Sequence, residues 1–193
     1  NEEGIKNFDE ILEVSDGIMV ARGDLGVEVP VEKLPMLQKE FIHKTVAAGK
    51  LVITATQMLD SMMKNPRPTR AEVSDVANAI IDGTCAIMLS GETANGSYPV
   101  NAVQMMNKIA LTTEASIDYS NSKFKPIAPK DPDLADKDTY RECINYSVYI
   151  SATTLSADAI ICVSEGGKSP RVLSKFRPAC PILVITPNDK TAR

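Results

Sequence analysis

The sequence predicts an α/β fold built on parallel strands, and three observations carry that expectation. Three short apolar runs, Gly17–Ala21, Leu51–Ala55 and Cys85–Leu89, end at intervals of 34 residues. They are too apolar for strands with an open face and read as buried on both sides. Each is followed by a polar loop and an amphipathic helix, a repeat close to the roughly 31 residues per unit of a (β/α)8 barrel. A fourth apolar run, Ala159–Val163, falls out of that phase and so belongs to a second α/β domain. The predicted architecture is therefore a partial (β/α)8 TIM barrel followed by the start of a second α/β domain. A doubly wound sheet is the alternative, and it too gathers ligands at the C-terminal ends of strands.

The elements follow in order from local signals. Asn7-Phe-Asp-Glu10 sets Asn three residues before Glu, a capping-box pattern that opens a short helix to about Val14. Pro30 precedes a helix near 32–48, whose Leu34, Leu37, Phe41 and Val46 form an apolar stripe that Gly49 ends. The second strand stops at Thr56-Gln57. A short helical piece from Met58 to Met63 then runs into Asn65-Pro-Arg-Pro68, a loop because proline cannot continue a helix. Thr69-Arg-Ala-Glu72 is another capping box, and Val73, Val76, Ala77, Ile80 and Ile81 give one helical face closed by Gly83. The third strand ends in Ser90-Gly-Glu-Thr93. After Gly96-Ser-Tyr-Pro99, a long helix carries Val103, Met106, Ile109 and Ile117 on one side. From Ser120 to Asp138, three Pro, four Lys and four Asp with little apolar content mark a linker. Thr139-Tyr-Arg-Glu142 is a further capping box, opening a helix to about Leu155, and Pro181–Ile185 is the strand after Ala159–Val163. The chain thus divides into a barrel part at 1–118, a linker at 119–138 and a second domain at 139–193.

Composition narrows the function. The 193 residues are 44% hydrophobic and 24% charged with a formal net charge of −4, enough for one full core or two small ones. Acids outnumber bases and no basic run occurs, so nucleic acid is not an expected partner. No apolar run approaches the roughly 20 residues that cross a bilayer, so no membrane partner is expected either. Cys85, Cys143, Cys162 and Cys180 lie far apart without any C-x-x-C spacing. Two fall inside apolar runs, so buried reduced thiols are expected rather than disulfides or zinc ligands, with a cytoplasmic location. His43, the only histidine, falls on the Lys39/Glu40/Lys44 side of its helix. It reads as a solvated residue, which argues against a triad built on histidine. Asn1 is preceded by neither an initiating Met nor a signal pattern, so the chain is expected to begin inside a longer protein.

Chemistry concentrates where strands end. After Ala21 the composition switches to Arg22-Gly23-Asp24, a cation, a residue without Cβ and a carboxylate at the mouth of a strand. Gly23 lets a ligand approach the backbone, and Asp24 offers the hard oxygen that Mg²⁺ prefers. The alternative is a polar turn in which Arg22 and Asp24 form a structural ion pair. Arg22, Thr56 and Ser90 occupy the same phase of the repeat, so three reactive groups are expected at one mouth. In the second domain, Ser164-Glu-Gly-Gly-Lys-Ser169-Pro170 follows a strand and precedes a helix. Ser169 reads as its N-cap and Pro170 as its first helical residue. Gly166 and Gly167 form either an anion nest with Lys168 as counter-charge or a plain connector.

Taken together, Ser15-Asp-Gly-Ile-Met-Val-Ala-Arg-Gly-Asp-Leu-Gly26, Ile53-Thr-Ala-Thr-Gln-Met58, Pro66-Arg-Pro-Thr-Arg-Ala-Glu72, Ser74-Asp-Val-Ala-Asn78 and Met88-Leu-Ser-Gly-Glu-Thr93 resemble pyruvate kinase. The resemblance covers essentially the whole chain and is densest from Asn1 to Pro99. It implies the last three βα units of the barrel, then the first part of a three-layer α/β C-terminal domain of regulatory type. The implied reaction is phosphoryl transfer from phosphoenolpyruvate to ADP, giving pyruvate and ATP, followed by protonation of the enolate. The implied cofactors are Mg²⁺ (or Mn²⁺) and K⁺, and the implied assembly is a homotetramer. By the same resemblance Asp24 matches a metal-binding aspartate. Ala21, Arg22, Gly23 and Asp24 match the backbone that receives the substrate carboxylate at the start of a short helix. Thr56 matches the threonine beside the enolpyruvate, Ser90 a candidate in the proton-relay path, and Arg70 a residue near a subunit contact. The loop holding Ser164, Gly166, Gly167, Lys168 and Ser169 matches one that holds a phosphorylated effector in some members. Gly166 stands there where effector-binding relatives commonly have a hydroxyl residue.

The family's other metal-site carboxylate, its essential lysine and its nucleotide and K⁺ residues match no position in this chain. The chain is therefore expected to be catalytically inactive by itself. Two other functions compete with the kinase. A Mg²⁺-dependent barrel aldolase or lyase acting on 2-oxo acid enolates would explain Asp24 but not the Thr56 and Ser90 motifs. A non-catalytic interaction fragment would explain the missing groups.

Overall fold

The computed structural model describes residues 2–120 and 137–192, and the chain forms two compact units, 1–117 and 118–193. Both are α/β with parallel strands. In the first unit, α1 (Glu2–Lys6) and α2 (Phe8–Val14) precede β1 (Gly17–Ala21) and the short α3 (Arg22–Glu28). A 3-10 turn, Val31–Lys33, leads into α4 (Leu34–Ala47), then β2 (Leu51–Ala55) and a second 3-10 turn, Asp60–Met63. α5 (Arg70–Asp82), β3 (Ala86–Met88), α6 (Gly91–Ala94) and α7 (Pro99–Glu114) complete it. The sheet order is β1-β2-β3, all parallel, with Ala21 opposite Ala55 and Ala55 opposite Met88. All three strands therefore end on one side of the unit.

Local chemistry explains the boundaries. Thr69 and Glu72 form the expected reciprocal capping box, and Gly83, at φ 102°, ends α5 in the left-handed conformation that only glycine adopts freely. Lys50, just ahead of β2, donates to the carbonyls of Leu12 and Glu13 and so satisfies the open end of α2. Gly17 is required where β1 meets β2, because a Cβ there would sit 2.7 Å from the Leu51 carbonyl oxygen. The core lies beneath the β2 loop. Met58, Leu59 and Met62 pack with Val76, Ala79 and Ile80 of α5 and Ala102, Met106 and Ile109 of α7. Phe8 stacks on Phe41 at 4.2 Å between ring centroids, tying α2 to α4. Within the sheet the Thr54 hydroxyl donates to that of Thr84 at 2.9 Å, so a polar group at a fully buried position is satisfied.

Several expectations are corrected. The strands are not buried on both faces. Val52 and Thr54 are fully buried, whereas Met19 on the opposite face is 52% exposed, because helices cover one side only among the described residues. The third strand is Ala86–Met88 rather than Cys85–Leu89, and Cys85 is exposed. Cys143 is exposed and Cys162 and Cys180 half-buried, so the cysteines are not the buried residues expected. Asn7 occupies the N-cap position of α2 without a side-chain bond. The helix expected over 32–48 is split by the Val31–Lys33 turn, which like α1 is unannounced by periodicity, whereas the short helical piece expected over Met58–Met63 is present as the Asp60–Met63 3-10 turn. Ile81 and Val103 lie exposed at the rims of their helical faces. His43 is on the surface, as expected.

The second unit holds α8 (Lys137–Thr154), β4 (Ile160–Val163), α9 (Lys168–Lys175), β5 (Ile182–Ile185) and α10 (Asp189–Ala192), with β4 and β5 parallel and Ile160 opposite Ile182. Tyr149, Leu173 and Phe176 form its centre, and the Tyr149 hydroxyl donates to the Tyr119 carbonyl at 3.1 Å. Lys175 pairs with Glu142 while its ammonium lies 5.2 Å from the centre of the Phe176 ring. The expected capping box at Thr139 does not form, because α8 already begins at Lys137 and Glu142 is drawn to Lys175. Most of the expected linker, 121–136, lies outside the described residues.

Candidate active site

The mouth of the first sheet is built around Arg22, the residue after β1. Its guanidinium sits 2.7 and 2.6 Å from the carboxylate oxygens of Asp75 on α5, and 3.3 Å from Gln38 Oε1 on α4. Its other nitrogens donate to the carbonyls of Thr56, at 2.7 and 3.3 Å, and Gln57, at 3.2 Å. The alternative of an Arg22–Asp24 ion pair is thereby excluded, since the cation faces Asp75 instead. A charged pair in which one partner is largely out of water needs such additional bonds to be tolerated.

Thr56 and Gln57 are both in the left-handed region, at φ 70° and 52°. For residues with a Cβ this costs roughly 1–2 kcal/mol each, and it persists only where surrounding contacts enforce it. The consequence is a fixed hydroxyl. Thr56 Oγ1 accepts the Gly23 amide at 2.7 Å and donates to the Ala55 carbonyl at 2.6 Å. A Cβ on Gly23 would lie 3.3 Å from that oxygen, so glycine is what allows the approach.

Asp24 follows on the first turn of α3 and is exposed. It borders a groove of about 580 Å³ along β1, lined also by Phe8, Met19, Ala21 and Glu28. Among the described residues no cation pairs with it, and no group of three or more His, Cys, Asp or Glu side chains gathers to hold a metal.

Ser90 stands two residues beyond Met88, whereas Thr56 stands one beyond Ala55, so the expected common phase slips by one at the third strand. Ser90 is exposed, and its amide is held by Glu92 Oε2 at 2.9 Å. Glu92 is 2% exposed, and its other oxygen accepts the Leu59 amide at 3.0 Å. One buried carboxylate thus joins the β3 loop to the β2 loop. Glu72 braces the far side of the β2 loop, accepting from the Ser61 amide and hydroxyl and from the Thr69 amide. Burial pushes the Glu72 carboxyl up, but these bonds outweigh it and hold its pKa below the usual glutamate value.

In the second unit, α9 starts two residues earlier than expected. Gly167, at φ 71°, is its N-cap, so Ser169 and Pro170 lie inside the first turn rather than at the cap. The Gly167 amide donates to Ser164 Oγ at 3.1 Å, and Lys168 lies 3.4 Å from Asp138. Gly166 has open space around its Cα. Ser164, Gly166, Gly167, Lys168 and Ser169 therefore share one turn.

The structure brings Arg22, Gly23 and Thr56 into one bonded cluster, with Ala21 and Asp24 flanking it along the chain and Ser90 tied through Glu92 to Leu59 of the β2 loop. Sequence reasoning missed Asp75, Gln38 and Glu92. Asp75 and Glu92 each sit inside a quoted motif, but nothing in their spacing announces which loop they hold. Arg70 is exposed at the start of α5.

Residues 1–103 match the family model described as pyruvate kinase, barrel domain, and residues 142–193 the model described as pyruvate kinase, alpha/beta domain. The chain is 54% identical over 193 residues to a pyruvate kinase of Clostridium acetobutylicum, covering all of this chain and 40% of that protein. It is 53% identical over 193 residues to one of Sporosarcina psychrophila, covering all of this chain and 32% of the relative. A crystal structure of a pyruvate kinase from Cryptosporidium parvum superposes with a TM-score of 0.85 at 46% identity, over 100% of this chain and 38% of that one. The chain thus spans between 32% and 40% of the length of these curated relatives.

Proposed function

The chain belongs to the pyruvate kinase family, and from that premise we propose that the mouth of β1, β2 and β3 is the substrate end of a phosphotransferase site. The reaction is transfer of phosphoryl from phosphoenolpyruvate to ADP, giving pyruvate and ATP. The observation that carries the proposal is the pairing of a locked hydroxyl with an exposed carboxylate. Thr56 Oγ1 is fixed on the Gly23 amide at 2.7 Å, and Asp24 projects from the next residue.

Asp24 suits Mg²⁺ or Mn²⁺. Magnesium is usually held by one or two carboxylates plus substrate oxygens rather than by an all-protein cage, so an exposed carboxylate without a protein cation fits. When bound, the ion supplies charge neutralisation at the phosphoryl and enolate oxygens. The start of α3 supplies amides: those of Arg22 and Asp24 lack an intrahelical acceptor by position and suit the substrate carboxylate. Thr56 presents a neutral hydroxyl where the enolate carbon takes up its proton, and exposed Ser90 extends a hydroxyl path to solvent. Holding and aligning groups is most of what phosphoryl transfer asks of a protein. K⁺ residues are not assigned in this chain.

The two parallel units are read as the last three βα units of a TIM barrel at 1–118 and the first part of a three-layer α/β domain at 139–193, joined at 119–138. A three-stranded sheet cannot close on itself, so turnover requires the apolar face bearing Met19 to be covered. Within this reading the protein is cytoplasmic and a homotetramer, with Arg70 near a subunit contact. The turn of Ser164, Gly166, Gly167, Lys168 and Ser169 binds a phosphorylated effector. Calorimetric titration with sugar phosphates tests that turn, and silence with unchanged activity would leave it a connector.

The main test is pyruvate formation from phosphoenolpyruvate and ADP by the intact protein and its Asp24→Asn variant. The charge loss should raise the Mg²⁺ requirement and lower kcat on the order of a hundredfold or more. Equal kinetics in the two proteins would refute the assignment. Thr56→Ala should lower kcat far more than it changes KM. A lower melting temperature with normal turnover would make Thr56 structural only.

A further inference from the structure

We propose that Arg22 is a positioning residue: with Asp75 it clamps Thr56 and Gln57 in their left-handed conformation and thereby fixes the Thr56 hydroxyl against the Gly23 amide. What that hydroxyl does rests on the phosphoryl-transfer proposal, whereas the clamp stands on geometry alone.

The guanidinium has five N–H donors. Nε donates to the Thr56 carbonyl, and Nη2 reaches the carbonyls of both Thr56 and Gln57. Nη1 is taken by Asp75 and Gln38. Every nitrogen is committed and the side chain is only 13% exposed, so Arg22 has no donor aimed at an anion in the mouth. Its place in the substrate site is then through its backbone and through what it holds.

Two successive left-handed residues turn their carbonyls toward one cation, and a planar fork meets both while keeping a third edge for a carboxylate. Asp75 supplies that carboxylate from α5, and Gln38 adds an acceptor from α4. The β1–α3 junction, the β2 loop, α4 and α5 therefore converge on one guanidinium. Releasing it frees Thr56 and Gln57 to leave the left-handed region, and the Gly23–Thr56 bond breaks with them.

The experiment uses the intact protein with Asp75→Asn, Arg22→Lys, and Asp75→Asn combined with Gln57→Gly. Amide hydrogen exchange at Gly23 and steady-state kinetics are read side by side. Asp75→Asn should raise Gly23 exchange about tenfold above the change at amides elsewhere in the unit. It should lower kcat about tenfold with KM for phosphoenolpyruvate within about twofold, the signature of misplaced rather than missing groups. Arg22→Lys should do the same, since an ammonium cannot span both carbonyls and Asp75. Gln57→Gly takes the left-handed conformation without a Cβ penalty, so in the Asp75→Asn background it should restore at least threefold of the lost protection and turnover. Unchanged Gly23 exchange in both single variants overturns the clamp, as does a rise at every amide without a local excess. Failure of Gln57→Gly to restore protection overturns it too. A raised KM with normal kcat would make Arg22 a substrate ligand instead. A protein that makes no pyruvate yet shows the local exchange pattern and its rescue supports the clamp and refutes the phosphoryl-transfer proposal.

Discussion

Two groups of loops leave strand ends in this chain, and they are held in different ways. The loops after β1, β2 and β3 are cross-braced by charged side chains that reach backbone groups on other elements. Arg22 holds the carbonyls of Thr56 and Gln57, Glu92 the amides of Leu59 and Ser90, and Glu72 the amide of Ser61. The loop after β4 is held by neutral or exposed contacts. Ser164 Oγ accepts from Gly167, Thr191 donates to the Glu165 carbonyl at 2.9 Å, and Lys168 reaches Asp138 at the surface. A site that aligns reacting atoms needs its geometry set before the ligand arrives, whereas a binding turn can be ordered by the ligand at some cost in affinity. Under the proposed function, the contrast is that between a catalytic mouth and a ligand-responsive turn.

Glu92→Ala should break the contrast most severely. It leaves the buried Leu59 amide and the part-buried Ser90 amide without their acceptor, which should cost about 2–4 kcal/mol and be seen as a lower denaturation midpoint. Lys168→Ala removes an exposed contact and should change stability by less than about 0.5 kcal/mol. Equal effects from the two variants would show that the loops are braced alike.

The next largest effect lies in the second loop. Gly167→Ala places a Cβ at φ 71° and 3.0 Å from the Thr191 methyl, so it should destabilise by about 1–2 kcal/mol. Gly166→Ala meets nothing within 4 Å and should stay within about 0.5 kcal/mol. Thermal melts of the pair show whether this turn has one required conformation or several tolerated ones.

What the sequence made legible follows from the range of the forces involved. The capping box at Thr69 and the stop at Gly83 depend on residues a few positions apart, so they read correctly. So did the parallel β1-β2-β3 order, because apolar runs at a fixed interval leave little choice. The box at Thr139 failed because Glu142 found Lys175, 33 residues away, which no local pattern reports. The one-residue slip that separates Ser90 from the phase of Thr56 was equally hidden, since strand register is fixed by packing. In the candidate site, Arg22, Gly23, Asp24 and Thr56 stood out as polar residues at strand ends. Asp75 and Glu92 did not, because their roles are to hold backbone groups brought near only by folding. The left-handed Thr56 and Gln57 carried no signal, since neither is the glycine that such a conformation ordinarily demands.

The smallest expected effect concerns how acid reaches the bracing. Glu72 accepts from Ser61 and Thr69 as a carboxylate, and its pKa in the folded protein is depressed below the ordinary 4.5. A depressed folded value means the native state binds that proton less readily than the unfolded chain. The contribution is therefore fully present above about pH 4.5 and is lost as pH falls through the lower folded value. At pH 7, Glu72→Gln should be less stable than the parent by about 0.5–1 kcal/mol, the scale of a helix cap. As pH drops toward 3 the two should converge, because a protonated glutamate is no better an acceptor than glutamine. Urea midpoints of both proteins at pH 7, 5, 4 and 3 read this directly. A gap that stays constant across the series would mean that the shape of Glu72, not its charge, holds the β2 loop to α5. The charged bracing of the first mouth would then rest on Arg22 and Glu92 without Glu72.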